Sequence, residues 1–231
     1  MPSVYSVQVA THGLGLSMTM MIDRVPVGAR VLDVGCASGY LAEPLRQARS
    51  CVAIDGIELD PGDAEKASAV CRHVVRGSAE EPATYEQLTG PYDAILFGDV
   101  LEHLREPAAA LRAARPLLAD GGVVIASIPN VAHYSIRAHL FEGRFDYADS
   151  GILDRTHLRF FTRETMSKLF SDNGYDVRSC DPALKLPEKM IEWLGPGLAE
   201  RVARMRDKVF AFQYITVAVP RREARQRTAV S

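Results

Sequence analysis

The sequence predicts an α/β fold with a doubly wound, mostly parallel sheet. From Arg30 onwards, short apolar runs alternate with helical stretches, and Gly, Pro and Asp residues separate them, as in consecutive βα units. The composition agrees, because 47% hydrophobic and 24% charged residues in 231 positions are typical of a globular domain with one sizeable core.

The candidate strands and helices follow from this alternation. The apolar runs predict strands at 31–34, 51–57, 73–76, 92–97, 123–127, 175–180 and 209–219. The stretches between them predict helices at 40–48, 64–71, 108–118 and 163–173. We expect Pro116 to kink or shorten the third helix and Thr162 to cap the fourth.

Charge and cysteine content exclude several kinds of protein. The 27 Lys and Arg against 29 Asp and Glu leave a net charge of −2, which argues against a nucleic-acid partner. No apolar run approaches the ~20 residues of a spanning helix, so we expect a cytoplasmic protein without membrane contact. The four cysteines form no CxxC pair, and we expect no metal.

The most informative stretch is a turn of small residues at 35–39, which we call the glycine loop. It follows a buried strand and precedes a helix, so its backbone can approach a ligand closely. The dinucleotide fingerprint GxGxxG does not fit, because Ala37 and Tyr40 stand where it has glycines. Asp33 lies just before the turn, where it would repel a pyrophosphate and attract a ligand with an ammonium group.

This loop resembles the first motif of the class I S-adenosylmethionine-dependent methyltransferases, with Asp33, Gly35, Ala37 and Gly39 in the matching positions. Ala37 replaces the more usual Gly, which requires ordinary backbone angles there. The resemblance extends over 31–130. It implies a Rossmann-like sheet of about seven strands with an antiparallel edge strand, the last strand being inserted antiparallel, and S-adenosylmethionine as the cofactor.

Further acidic and small residues follow at the positions where this family contacts its cofactor. Glu58 is the expected ribose ligand, with Asp55 and Asp60 as competitors, and Asp99 would face the sulfonium. His103 has the alternative role of a packed core histidine. Taken residue by residue, the resemblance implies cofactor contacts at Asp33, Gly35, Ala37, Gly39, Glu58, Leu59, Ser78, Ala79, Asp99, Val100 and His103.

The alternation of strands and helices breaks after Pro129, and the following segment is rich in His, Arg, Asp and aromatic residues. Ligands bind beyond the carboxyl ends of the strands in such sheets, which predicts a lid over that edge. We divide the chain into an N-terminal cap segment (1–29), an S-adenosylmethionine-binding core (30–130), an acceptor-binding lid (131–161), the C-terminal part of the sheet domain (162–220) and a disordered tail (221–231).

The lid supplies the candidate catalytic residues. A hydroxyl acceptor loses a proton as it attacks the methyl group, and histidine is well tuned to accept it. The segment around His157 resembles a subgroup of bacterial methyltransferases that act on sugars, surface glycans or secondary metabolites. We expect His157 to be the base, with Asp154 or Asp99 orienting it and His133 as second choice. Alternatively, His157 only pins the lid.

The sequence therefore predicts an enzyme that O-methylates a small molecule, such as a sugar or secondary metabolite. N-methylation of a small amine is the alternative within this class. A non-catalytic protein that binds S-adenosylmethionine is the alternative outside it. A homodimer is possible.

Overall fold

The computed structural model describes residues 14–221, and its framework is a seven-stranded sheet of order β3-β2-β1-β4-β5-β7-β6. The strands are β1 (Arg30–Val34), β2 (Ala53–Glu58), β3 (His73–Arg76), β4 (Tyr92–Gly98), β5 (Leu118–Pro129), β6 (Tyr175–Leu184) and β7 (Ala211–Pro220). Strands β1 to β5 pair in parallel, whereas β7 runs antiparallel to β5 and to the edge strand β6. The predicted fold class is confirmed, including the antiparallel insertion of the last strand.

Ten α-helices cover the sheet in residues 14–221. They are α1 (Leu16–Arg24), α2 (Ala42–Arg49), α3 (Pro61–Ser68), α4 (Pro82–Tyr85), α5 (Pro107–Ala114), α6 (Tyr134–Phe141), α7 (Arg163–Asp172), α8 (Glu188–Leu194), α9 (Pro196–Met205) and α10 (Asp207–Phe210). Pro116 shortens α5 as expected, because the chain continues from Ala114 as a 3-10 turn at Arg115–Leu117. Thr162 caps α7 in a capping box with Thr165.

Two regions differ from the sequence-based expectation or lie outside it. Residues 188–210 form three helices that the sequence analysis did not predict. The apolar residues of the second one, such as Ala199 and Ala203, do recur at helical spacing, so this helix was missed although its pattern was present. The N-terminal cap segment contains α1, while its first 13 residues and all but Arg221 of the predicted tail lie outside the described residues.

Two apolar layers enclose the sheet and determine which way each strand residue points. Leu32 and Val34 of β1 belong to the layer that also contains Phe97, whereas Val31 packs on the opposite face with Met21 of α1. Because side chains alternate along a strand, Asp33 lies on the Val31 face, the side covered by α1. The fold therefore holds a carboxyl group in an apolar layer beneath α1.

Within residues 14–221, every helix is too short or too polar to cross a membrane.

Candidate active site between the sheet and the lid

The glycine loop is held close to the ends of β1 and β2 by backbone hydrogen bonds. The amides of Gly35 and Cys36 both donate to the Ile57 carbonyl, at 2.8 and 3.0 Å. Gly35 has φ +72°, and a Cβ atom there would stand 2.6 Å from a methyl carbon of Val100. Glycine is required at this position both for its backbone angle and for the space that it leaves.

Ala37 does not have the ordinary backbone angles that the sequence analysis expected. Its φ is +47°, in the left-handed region, where a Cβ atom is crowded by the backbone. The amide of Ala37 donates to Oε2 of Glu58 at 2.8 Å, and the amide of Asp60 donates to Oε1 at 2.8 Å. The carboxylate of Glu58 thus joins the glycine loop to the end of β2 and stabilises the strained turn.

Asp33 and Asp99 are buried carboxyl groups at the ends of adjacent strands. Burial, reinforced by the nearby charge of Glu58, raises the pKa of Asp33 from 3.8 to about 7. Burial also raises the pKa of Asp99 to about 6, although hydrogen bonds from Ser127 and Gln213 oppose the shift. The Gln213 amide donates to Oδ1 of Asp99 at 2.8 Å, and Asp99 has φ +53°. Both groups are thus suited to receive a cation, which would restore their charge.

The remaining candidate cofactor residues lie around this pair of strand ends. Leu59 is 69% exposed beside Glu58, and Ala79 is buried with its carbonyl accepting from Tyr85. Ser78 tightens its own turn by accepting from the Glu80 amide at 3.2 Å. Val100 packs over Gly35, as described above.

The lid segment (131–161) is attached to the sheet at both of its ends. The Val131 amide donates to the Phe161 carbonyl at 2.9 Å, which joins the two ends. The amides of Leu158 and Arg159 both donate to the carbonyl of Glu102 at 2.9 Å, in the 3-10 turn Leu101–His103 after β4. These bonds hold the lid directly over the carboxyl ends of the strands.

His157 meets Glu102 and His103 at this junction. The rings of His103 and His157 lie edge to face with centroids 4.7 Å apart. Nδ1 of His157 lies 3.0 Å from the Ile152 carbonyl, so that nitrogen carries the proton and Nε2 carries the lone pair. Glu102 is 1% exposed, and burial together with the charge of Asp99 raises its pKa well above the ordinary value. His103, a predicted cofactor contact, packs against the lid.

Asp154 does not orient His157 through its carboxylate. Its Oδ1 accepts from the amide and the hydroxyl of Thr156, at 2.8 and 2.7 Å. Although burial opposes it, these bonds and the two nearby histidines hold the pKa of Asp154 below its usual value. The Ile152 carbonyl takes the orienting role that the sequence analysis gave to a carboxylate.

His133 is engaged at both ring nitrogens. Its Nδ1 lies 2.8 Å from the Ser135 hydroxyl, and its Nε2 lies 3.3 Å from the Lys185 carbonyl, to which it donates. The ring is 2% exposed, and burial lowers its pKa. In this arrangement it caps α6 and has no lone pair left to accept a proton from an acceptor.

A cavity of about 720 Å³ lies between α1, the lid and the ends of the strands, and we call it the lid cavity. Its volume is that of a pocket for a small organic molecule. Its wall mixes apolar side chains, such as Met18, Ile136 and Leu153, with polar and charged ones, which include Asp99 and His157.

Comparison with known sequences identifies the family. The profile of the methyltransferase domain matches residues 18–180. The chain belongs to this family. The resemblance to the class I S-adenosylmethionine-dependent methyltransferases is thereby confirmed, and S-adenosylmethionine is the cofactor of such proteins.

Curated relatives of this methyltransferase include ubiquinone biosynthesis O-methyltransferases. That of Caulobacter sp. (strain K31) is 35% identical over 111 residues, which are 45% of this chain and 42% of the relative. That of Psychrobacter arcticus is 29% identical over 168 residues, 64% of this chain and 59% of the relative. The chain thus spans less than two thirds of the length of either relative.

Solved methyltransferases share the fold. A possible histamine N-methyltransferase from Thermotoga maritima has a TM-score of 0.64 at 18% identity and covers 94% of both chains. An O-methyltransferase from neocarzinostatin biosynthesis, solved with S-adenosylmethionine and 2-hydroxy-5-methyl naphthoic acid, has a TM-score of 0.58 at 17% identity, covering 94% of this chain and 55% of its own. At such identities the likeness concerns the fold alone.

The methyltransferase site contains three residues that sequence reasoning did not assign to it. Gln213 comes from β7, whose insertion beside β5 places it against Asp99. Tyr40 lines the lid cavity although it was noted only as an obstacle to dinucleotide binding. Glu102 comes from the 3-10 turn after β4, and the local signal for it is an acidic residue next to His103 after a buried strand.

Proposed function

We propose that this methyltransferase transfers the methyl group of S-adenosylmethionine to a hydroxyl oxygen of a small molecule in the lid cavity. The observation that carries the proposal is the position of the lid cavity, whose wall includes both Asp99 at the end of β4 and His157 of the lid, beside apolar side chains such as Ile136 and Leu153. A pocket that combines apolar surface with placed polar groups encloses a small organic acceptor and orients it.

The cofactor's cationic end would lie against the buried carboxyl groups. Asp33 and Asp99 supply negative charge beneath α1, and Glu58 keeps one lone-pair direction on each oxygen for the ribose hydroxyls. Leu59, Ser78, Ala79 and Val100 would flank the nucleoside, and the glycine loop would follow it.

In the transfer itself, a lone pair of the acceptor oxygen forms the new O–C bond while the S–C bond breaks. The electron pair of that bond stays on sulfur, which gives neutral S-adenosylhomocysteine. Alignment of the acceptor with the S–CH₃ bond supplies roughly 7–11 kcal/mol of the barrier reduction. The hydroxyl proton must also leave, and His157 assists its removal, because its Nε2 carries a lone pair and its ring lines the cavity.

The test is incubation of the purified protein with methyl-labelled cofactor and a panel of small alcohols, phenols, sugars and amines. We expect label in an O-methyl product identified by mass spectrometry. His157→Ala should lower turnover by about 10²–10⁴-fold while cofactor binding persists. His73→Ala is the matched control, since His73 is an exposed histidine at the start of the edge strand β3, whereas the lid lies over the carboxyl ends of the strands.

Three outcomes would contradict the proposal. Label found only on nitrogen would indicate an N-methyltransferase. Cofactor binding without any labelled product would favour a binding protein. Unchanged turnover in His157→Ala would remove His157 from the reaction.

A further inference from the structure

Three side chains with metal-ligating atoms converge where the lid meets the 3-10 turn after β4. One ligand atom each from Glu102, His103 and His157 lies within 4.8 Å of the others. Donor atoms around a tetrahedral ion are about 3.4 Å apart, given metal–ligand distances of ~2.0–2.1 Å. A small inward movement of the side chains therefore brings all three into range of one ion. We propose that these residues hold a divalent transition-metal ion at the wall of the lid cavity.

The state of Glu102 is the first argument. Its side chain is 1% exposed, and no other described residue makes a hydrogen bond to either carboxylate oxygen. Burial of a carboxyl group without partners is costly, and buried charges in proteins are paired or coordinate metals. A bound cation would satisfy both oxygens of this group.

The orientation of the two imidazoles is the second argument. Nδ1 of His157 donates to the Ile152 carbonyl at 3.0 Å. Nδ1 of His103 lies 3.1 Å from the Thr156 hydroxyl and 3.3 Å from the Thr156 carbonyl, and that hydroxyl in turn donates to Asp154. Both rings therefore present Nε2 as the donor atom. Metal-ligating histidines are oriented in this way, by bonds from the other ring nitrogen to carbonyl or carboxylate groups.

The ligand set indicates the class of metal. Two imidazoles and one carboxylate are the ligands of catalytic zinc sites and of the non-haem iron facial triad, both of which keep open coordination positions. Magnesium and calcium prefer oxygen ligands throughout. We therefore expect an ion of the zinc, iron or manganese class rather than Mg²⁺. This differs from the sequence-based expectation of no metal, because the ligands come from two distant segments without a recognisable spacing.

The position of the ion suggests its role, and this step rests on the proposed function. His157 lines the lid cavity, so an open coordination position on the ion would be reached from that cavity. An acceptor hydroxyl bound there would have its pKa lowered by the metal. His157 would then act as a metal ligand, and the proton of the acidified hydroxyl would pass to solvent water instead of to His157. The acceptor would be a molecule with an oxygen donor at its reacting end.

Metal binding is tested on the whole 231-residue chain without cofactor or acceptor. After treatment with a chelator and its removal, Zn²⁺ and Co²⁺ are titrated by calorimetry, and the Co²⁺ absorption spectrum reports the geometry. We expect one ion per chain and an absorption spectrum typical of Co²⁺ with four or five ligands, not of octahedral Co²⁺. Affinity should fall at least about tenfold in His157→Ala and in Glu102→Gln, and remain unchanged in His73→Ala.

Two results would overturn the proposal: no binding to the wild-type protein, or binding that is equally strong in both ligand variants. Circular dichroism identifies a variant that fails to fold, and His103→Gln then replaces it. Because the titration needs no turnover, its result is independent of the proposed function. If the protein binds metal but methylates no hydroxyl, the proposed function is wrong and the metal site stands. If it binds no ion and still methylates at full rate after chelation, the metal site is wrong and the proposed function stands.

Discussion

Asp33 should make cofactor binding depend on pH near neutrality. Its pKa is raised from 3.8 to about 7, mainly because burial disfavours the charged carboxylate. A raised pKa means that the fold favours the protonated form. The difference of about 3 pH units corresponds to about 4 kcal/mol of stability at ~1.36 kcal/mol per unit. That stability is fully present below about pH 4 and is lost as the pH rises through about 7.

A cationic cofactor bound beside Asp33, as proposed above, would reverse this preference. A positive charge beside Asp33 favours the ionised carboxylate, so the pKa of Asp33 should fall on binding. Below about pH 7, binding must therefore release about one proton, and affinity should weaken by up to ~10-fold per pH unit. Asp99, with its pKa raised to about 6, should add a second, lower transition.

The assay is calorimetric titration with S-adenosylmethionine between about pH 7.5 and pH 5.5, below the range (~7.7–8.0) in which an α-amino group titrates. Buffers of different ionisation enthalpy report the protons released. Asp33→Asn should bind more weakly at the upper pH, lose the proton release near pH 7 and keep the transition of Asp99. A variant with wild-type affinity and the same pH slope would refute the assignment of Asp33 to the cofactor.

Three further substitutions test the loop, its anchor and a helix cap. Ala37→Gly should raise the free energy of unfolding by about 0.5–1 kcal/mol. It removes a strain of ~1–2 kcal/mol from the left-handed backbone, and the greater conformational entropy of the unfolded chain offsets part of this gain. A lower urea midpoint would contradict the expectation. Glu58→Gln should weaken S-adenosylmethionine binding by about 10- to 100-fold, because it removes a charge-assisted hydrogen bond worth ~1.5–3 kcal/mol. The variant Glu65→Gln, at an exposed glutamate, should bind normally, and equal affinities of the two variants would argue against the role of Glu58. Thr162→Ala should lower the free energy of unfolding, measured by thermal unfolding, by about 1 kcal/mol and leave cofactor affinity unchanged. A change in stability near zero would show that the cap does not stabilise the protein.

Much of the framework was predictable because it depends on local patterns. The strand at His73–Arg76 was predicted at its observed bounds, and β1 and β4 differ from their predictions by one residue. Buried parallel strands appear as continuous apolar runs, and the residues after them lie at one edge of the sheet. This rule was sufficient to predict that Asp33, Glu58 and Asp99 lie near that edge.

The sequence by itself therefore determined the strands of the sheet, the family and the acidic strand ends, since each is written in adjacent residues. Only the tertiary structure decided that Ala37 is left-handed, because the Glu58 carboxylate holds its amide. The tertiary structure also decided that His157 is oriented by a backbone carbonyl and meets Glu102 and His103. Such contacts join segments far apart in the chain, and their geometry depends on how the lid packs on the sheet, which no local pattern of residues encodes.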